Sequence, residues 1–188
     1  MKKIGIYGGT FDPIHHGHLI LAREAREVLG LEKVIFVPAR IAPHKRAAFA
    51  SAEMRLSMLQ AAVKGENGLE VDDCELRRPP PSYTIDTIEN IQQREPDAEI
   101  YCLIGEDNLA GLANWRRFDR LQKMVRFAVL DRTGAEATHG YPIIARKIDI
   151  SATGIRKRVA SGRSIRYLVP AEVEKIIRRN NLYREAAQ

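Results

Sequence analysis

The stretch from Lys3 to Leu19, K-I-G-I-Y-G-G-T-F-D-P-I-H-H-G-H-L, gathers the residue types that handle phosphate. His15 and His18 stand three apart, a spacing that projects both imidazoles from one side of a helical turn. Just before them Gly8 and Gly9 lead into Thr10 and Phe11, and glycines let a backbone turn sharply or come close to a ligand. A glycine turn that runs into a helix start collects free N–H groups and the positive end of the helix dipole around one point, which attracts phosphate. Imidazoles beside that point can donate to charge building on a transferring phosphoryl group. The plainer alternative is a helix N-terminus with surface histidines. A zinc site at His15, His16 and His18 is a further alternative, but a cramped one, with neither cysteine nearby, and closed zinc sites draw ligands from separated segments. The letters contain no G-x-x-x-x-G-K-[ST], and Gly5-x-x-Gly8-Gly9 is not the G-x-G-x-x-G fingerprint of dinucleotide folds.

The elements that must position these residues follow from apolar patterning. Ile4 to Tyr7 reads as a buried parallel strand, and a helix can open after Asp12-Pro13, with Leu21, Ala25, Val28 and Leu29 on one face and Gly30 as its stop. Val34 to Val37 is a second strand closed by Pro38, which makes a right-handed βαβ unit. Pro38 to Ala50 is a loop with His44-Lys45-Arg46, cations able to swing over a phosphate. Ser51 opens a helix whose stripe is Met54, Met58, Leu59 and Ala62; Leu69 to Leu76 is a third strand, and Pro79-Pro80-Pro81 a rigid turn. Ser82 or Thr84 can cap the helix that carries Ile85, Ile88 and Ile91. Ile100 to Ile104 is a fourth strand ending in Gly105-Glu106-Asp107-Asn108, the kind of strand end where open α/β sheets bind ligands.

Trp115, the only tryptophan, lies among polar neighbours and can offer a flat face to an aromatic ring, with burial in the core as the alternative. Phe127 to Leu130 is a fifth strand, followed by a turn at Arg132, an excursion from Ala135 to Tyr141, and a last extended segment from Ile143 to Ile150. Ser151 then caps another helix start, with Thr153 in its first turn and Arg156 able to fork onto phosphate oxygens. Gly154 is an unfavourable residue so early in a helix. Pro170 to Asn180 is a final structural helix.

Composition bounds the function classes. A chain of 188 residues with 45% apolar content is the size of one soluble domain, and residues 1–188 are expected to form one. No apolar run approaches a membrane span and the N-terminus enters a strand at once, so no membrane partner and a cytoplasmic setting are expected. Cys74 and Cys102 have no metal or disulfide spacing and read as buried, inert thiols. The net charge of +6 is spread along the chain without a nucleic-acid reader motif; it suits polyanionic nucleotides, and no nucleic-acid partner is expected.

G-G-T-F-D-P-I-H-H-G-H-L resembles the signature of the T/H-x-G-H nucleotidyltransferases. P-x-x-x-x-P-H-K, S-Y-T-I-D-T, I-G-E-D-N and I-S-A-T-G-I-R are similar, in order, to blocks of its nicotinate-nucleotide adenylyltransferase branch. The resemblance implies a Rossmann-like open parallel sheet with helices on both faces. It implies transfer of an adenylyl group from ATP to nicotinate mononucleotide, with Mg²⁺ bridging the ATP phosphates and no resident protein metal site. It assigns catalysis to His15, His18 and Arg156. The ATP side would be Gly8, Gly9, Thr10, Phe11, His18, Gly105, Asp107, Ser151, Thr153 and Arg156. The mononucleotide side would be His44, Lys45, Ser82, Tyr83, Thr84, Asp107, Trp115 and Arg132. Glu106 departs from the small residue many members carry there. No side chain is set up for covalent catalysis, so direct in-line attack by an already ionised phosphate is expected. A nicotinamide or phosphopantetheine acceptor, or a non-catalytic nucleotide sensor, are the competing readings. Oligomeric state is not legible, a homodimer included.

Overall fold

The computed structural model describes residues 2–41, 48–133 and 140–184. Six strands form a wholly parallel sheet in the order β3-β2-β1-β4-β5-β6: β1 (Lys3–Gly9), β2 (Lys33–Pro38), β3 (Leu69–Val71), β4 (Glu99–Gly105), β5 (Val125–Asp131) and β6 (Ile143–Ala145). Order reverses between β1 and β4, which pair directly with Ile6 opposite Cys102 and Tyr7 opposite Leu103. Such a reversal opens a crevice at the strand C-termini, where doubly wound sheets bind ligands.

The sheet is covered on both faces, which explains strands of nearly unbroken apolar character. One core joins Tyr7, Phe36, Leu103 and Leu130 to helices α1 (His16–Leu29), α2 (Ala52–Val63), α6 (Ala152–Ala160) and α7 (Ala171–Arg179). The opposite core joins Ile6, Val37, Cys102 and Val129 to α3 (Cys74–Arg77), α4 (Thr84–Arg94) and α5 (Phe118–Met124). Cys74 and Cys102 are both buried in this second core, which pushes their thiols up to about 12 and leaves them unreactive.

Several boundaries differ from expectation. Helix α1 opens at His16 rather than after Pro13, because Ile14 is drawn fully into the core and the first carbonyl taken by the helix is that of His15, which accepts from the N–H groups of His18 and Leu19. The α1 face is centred on Leu21, Ala22 and Ala25; Val28 is 66% exposed, while Leu29 packs on the core and Gly30 stops the helix in the left-handed conformation. The third strand ends at Val71, since the Asp72 carboxylate accepts from Cys74 N at 2.9 Å and turns the chain into α3. The last extended segment is ladder-paired only over Ile143–Ala145.

Candidate active site

Strand β1 ends in Gly8-Gly9 at the crevice, and the chain crosses to α1 through Thr10 to His15. Phe11 takes a left-handed backbone, φ 51°, and its buried ring meets Tyr7, Phe36 and His18 edge to face, with centroids 5.2–5.5 Å away. It therefore supports His18 from beneath. His15 and His18 do share one side, as their spacing implies: the rings stack with centroids 3.7 Å apart. Gly17 makes this arrangement fit, because a Cβ there would lie 3.0 Å from the His15 ring.

Both imidazoles are neutral in this environment. Burial, with the charge of Arg132 adding to it, holds His15 down at about 3. Burial and then His15 and Arg132 depress His18 well below the usual histidine value. The His15 backbone N–H donates to His18 Nδ1 at 3.3 Å, so in a neutral ring the proton sits on Nε2. His18 is thus a fixed neutral donor. His15 Nδ1 is buried with no hydrogen-bond partner.

Helix α6 brings the second anion site. Ser151 accepts from Gly154 N at 3.1 Å, and a Cβ on residue 154 would press on that hydroxyl at 3.1 Å, so Gly154 serves the cap rather than loosening the helix. Arg156 Nη1 donates to the Asp12 carbonyl at 2.7 Å, Nη2 to Thr153 Oγ1 at 3.1 Å, and the guanidinium lies over the Phe49 ring at 4.4 Å. Two segments 144 positions apart in sequence thereby place Arg156 against the turn that precedes the histidines.

Four residues of this corner escaped the sequence reading. Asp12, 5% exposed, accepts from Phe49 N at 2.6 Å, Ala50 N at 3.2 Å and the Tyr183 hydroxyl at 2.7 Å. Burial and the Asp12 carboxylate push the Tyr183 phenol up, so it remains a donor. Arg55, 1% exposed in α2, donates to the Thr10 carbonyl at 2.8 Å and the Arg40 carbonyl at 3.3 Å. Its spacing to Met58, Leu59 and Ala62 is that of a core stripe, and a charged residue on such a stripe was the available signal. For Tyr183 and Phe49 no local signal exists.

A cavity of ≈ 610 Å³ adjoins the glycine turn. Gly8, Gly9 and Thr10 form its near wall, and Ser82, Tyr83, Thr84, Asp107 and Trp115 its far side. Trp115 is half-buried, with its ring edge-to-face on Phe127 at 6.4 Å, so it faces both core and cavity. Arg116 lies over the Tyr83 ring at 4.5 Å. The expected side-chain cap of α4 does not form: Tyr83 is the N-cap residue without a side-chain bond, and Ser82 Oγ is occupied by Arg40 N at 3.0 Å, tying the α4 entrance to the end of β2. The N–H groups of the first turn of α4 are accordingly left without a side-chain cap.

Gly105 ends β4 at the crevice and leads into a 3-10 segment, Glu106–Asn114, that carries Asp107. Glu106 Oε2 accepts from Thr133 Oγ1 at 3.2 Å, tying this segment to the end of β5. Arg132 is exposed, donates to the Ile150 carbonyl at 3.1 Å, and sends its field onto both histidines. His44 and Lys45 lie outside the described residues. Among the described residues no helix is long and apolar enough to cross a membrane.

The cytidylyltransferase-like family model matches residues 6–158. A protein of Exiguobacterium sibiricum named "Probable nicotinate-nucleotide adenylyltransferase" is 42% identical over 186 residues, 96% of this chain and 98% of that protein. Its namesake in Geobacillus thermodenitrificans is 44% identical over 187 residues, 97% of this chain and 87% of the other. Among solved structures, the Plasmodium falciparum nicotinic acid mononucleotide adenylyltransferase complexed with NaAD superposes with a TM-score of 0.82 over 98% of both chains, at 19% identity, which speaks to the fold. The blocks that run from the glycine turn to Arg156 fall inside the family match, and on these likenesses the chain belongs to the cytidylyltransferase-like family, in its nicotinate-nucleotide adenylyltransferase branch.

Proposed function

We propose that the protein condenses ATP with nicotinate mononucleotide to give nicotinate adenine dinucleotide and pyrophosphate, a step of NAD biosynthesis. The observation that carries the reading is the pair of convergent anion sites: a neutral Nε2–H donor on His18 beside the Gly8-Gly9 turn, and Arg156 held against the same turn by Asp12. Related proteins over 40% identical along nearly the full chain bear the name of this activity, which supports it.

The chemistry is a displacement at the α-phosphorus. An ionised phosphate oxygen of the mononucleotide attacks, the bond from the α-phosphorus to the bridging oxygen breaks, and pyrophosphate departs with the electron pair. No proton has to be removed from the nucleophile, so the site needs no general base. Its task is positioning and charge stabilisation. His18, with His15 stacked beneath it, donates to the triphosphate, and Arg156 with the Ser151-capped helix start holds the departing pyrophosphate. The donors that face the turn are imidazole and guanidinium N–H groups, which suit anionic oxygens; Mg²⁺ enters with the nucleotide, as Mg-ATP.

The ≈ 610 Å³ cavity takes the mononucleotide. Trp115 stacks on the pyridine, the uncapped N–H groups at the Thr84 helix start receive its carboxylate, and Asp107 accepts from a ribose hydroxyl. His44 and Lys45 are proposed to close over the phosphate. Pyrophosphate release from Mg-ATP, measured with nicotinate mononucleotide, nicotinamide mononucleotide and phosphopantetheine as acceptors, tests the assignment. Preference for the nicotinate form is the expected result. Comparable rates with both pyridines would remove the helix-start account of specificity, and activity with phosphopantetheine alone would reassign the enzyme.

A further inference from the structure

The corner around Asp12 contains more structure than a phosphate turn requires. Its carboxylate sits 5% exposed and accepts three hydrogen bonds: from the backbone N–H groups of Phe49 and Ala50 and from the hydroxyl of Tyr183, 171 positions away in sequence. Its carbonyl is the acceptor for Arg156 Nη1 at 2.7 Å. Phe49, fixed through its backbone by Asp12, presents its ring to the Arg156 guanidinium at 4.4 Å. One residue therefore sets both the acceptor and the ring between which Arg156 is held.

Tyr183 completes this corner from outside the nucleotide-binding blocks. It follows α7 in the chain, is 6% exposed, and adopts φ 64°, with Asn181 nearby at φ 49°. A bulky residue in the left-handed region persists only where surrounding contacts over-determine it. Here the contact that the conformation serves is the 2.7 Å bond to Asp12 Oδ1. Phe49 is 59% exposed, and its ring lies against the Arg156 guanidinium. A carboxylate locked by three donors cannot rotate, so the peptide that carries its carbonyl is fixed as well.

We propose that Tyr183 and Phe49 are positioning residues for the adenylyl transfer: Tyr183, through Asp12, and Phe49, through its ring, hold the Arg156 guanidinium where the departing pyrophosphate needs it. The inference rests on the adenylyltransferase reading above. Neither residue touches substrate; both act through Arg156. The C-terminal segment is thereby part of the catalytic apparatus rather than a structural appendage.

The test is a double-mutant cycle on the whole protein, with pyrophosphate release as the readout. Tyr183→Phe keeps the ring in its place and removes only the hydroxyl; Phe49→Leu changes an exposed side chain and keeps the backbone bond to Asp12. Tyr183→Phe is expected to lower kcat/KM for ATP about tenfold, the scale of one hydrogen bond to a charged group, and Phe49→Leu about two- to fivefold, the scale of an exposed cation–π contact, while KM for nicotinate mononucleotide stays within about twofold. In an Arg156→Ala background each should change kcat/KM by less than about twofold, because the group they position is gone. Full, equal losses in both backgrounds would overturn the proposal, since a merely structural contribution does not depend on Arg156. Parallel rises in KM for both substrates would overturn it too. A wild-type protein that releases no pyrophosphate with any of the three acceptors would instead sink the enzymatic reading on which the proposal stands.

Discussion

Mild acid should loosen this protein before most of its carboxylates titrate, and His15 is the reason. The ring is 1% exposed, stacked on His18, and held down at about 3, first by burial and then by the charge of Arg132. In the unfolded chain the same imidazole takes up a proton near about 6.5. Between those two values the unfolded state binds a proton that the folded state refuses. The stabilisation is therefore complete above about pH 6.5 and is lost as pH falls through the window. Each pH unit inside it is worth about 1.4 kcal/mol, so a drop to about pH 5 removes roughly 2 kcal/mol. That is a substantial part of a typical domain stability of about 5–15 kcal/mol.

The clean perturbation is His15→Phe, which keeps an aromatic ring against His18 and deletes the titration. The assay is urea unfolding at about pH 7 and about pH 5, extrapolated to water. The wild type should lose roughly 2 kcal/mol more than the variant between the two conditions. His18 is depressed partly by His15, so its response to the substitution adds in the same direction. Glu75, which burial pushes up, works the other way and drops out of the difference because both proteins contain it. Equal losses in the two proteins would refute the account of a neutral, desolvated imidazole.

Three further outcomes follow from the same geometry. His18→Ala should lower kcat by about 10²–10³, the effect of removing one preorganised donor; near-normal turnover would take His18 out of the mechanism. Trp115→Ala should raise KM for the mononucleotide about tenfold, as expected for losing one stacked ring, with KM for ATP within about twofold; an equal rise in both would make Trp115 a core residue acting through Phe127. Arg55→Met leaves the partly buried Thr10 and Arg40 carbonyls without their donor, and denaturant unfolding should show a loss of about 2 kcal/mol; a change below about 0.5 kcal/mol would mean that water replaces the guanidinium.

What could be read from the chain, and what could not, divides along the range of the forces involved. Strands β1, β2, β4 and β5 were legible because a doubly covered sheet demands unbroken apolar runs, and Ile100 to Ile104 has no other use. That His15 and His18 share one side was legible from their three-residue spacing; the stacking of the rings was not, since His15 is the extended N-cap residue. Short edge strands were misjudged: Asp72 and Asp73 follow Val71 directly, and the Asp72 side chain accepts from Cys74 N and turns the chain into α3. The cap at Ser82 failed for a long-range reason, since the Arg40 N–H occupies its oxygen. Arg55 was hidden by its own letter, because a guanidinium on a core stripe reads as a solvated charge until the carbonyls of Thr10 and Arg40 are brought to it. Asp12 and Tyr183 meet only after the whole sheet has formed, and no local pattern encodes that meeting.

The distribution of charge in the proposed site also bears on why it can turn over. ATP and pyrophosphate are polyanions, and a turn lined with cationic groups would grip the ground state and the product as firmly as the transition state, which does not accelerate chemistry. Here the donors nearest the glycine turn, His15 and His18, are neutral in the folded protein, and Arg132 helps to keep them so. A neutral, fixed N–H responds most strongly where charge accumulates on phosphoryl oxygens, because it sits in a desolvated corner and needs no reorientation. A full positive charge sits on Arg156, which in the proposed mechanism meets the leaving group and is itself restrained by a carbonyl, a hydroxyl and an aromatic face. Replacing His18 by a permanent cation should therefore strengthen ATP binding while slowing turnover. His18→Lys would separate the two: tighter equilibrium binding with a lower kcat supports the division of labour, whereas weaker binding with unchanged kcat would show that the neutrality of the imidazole is incidental.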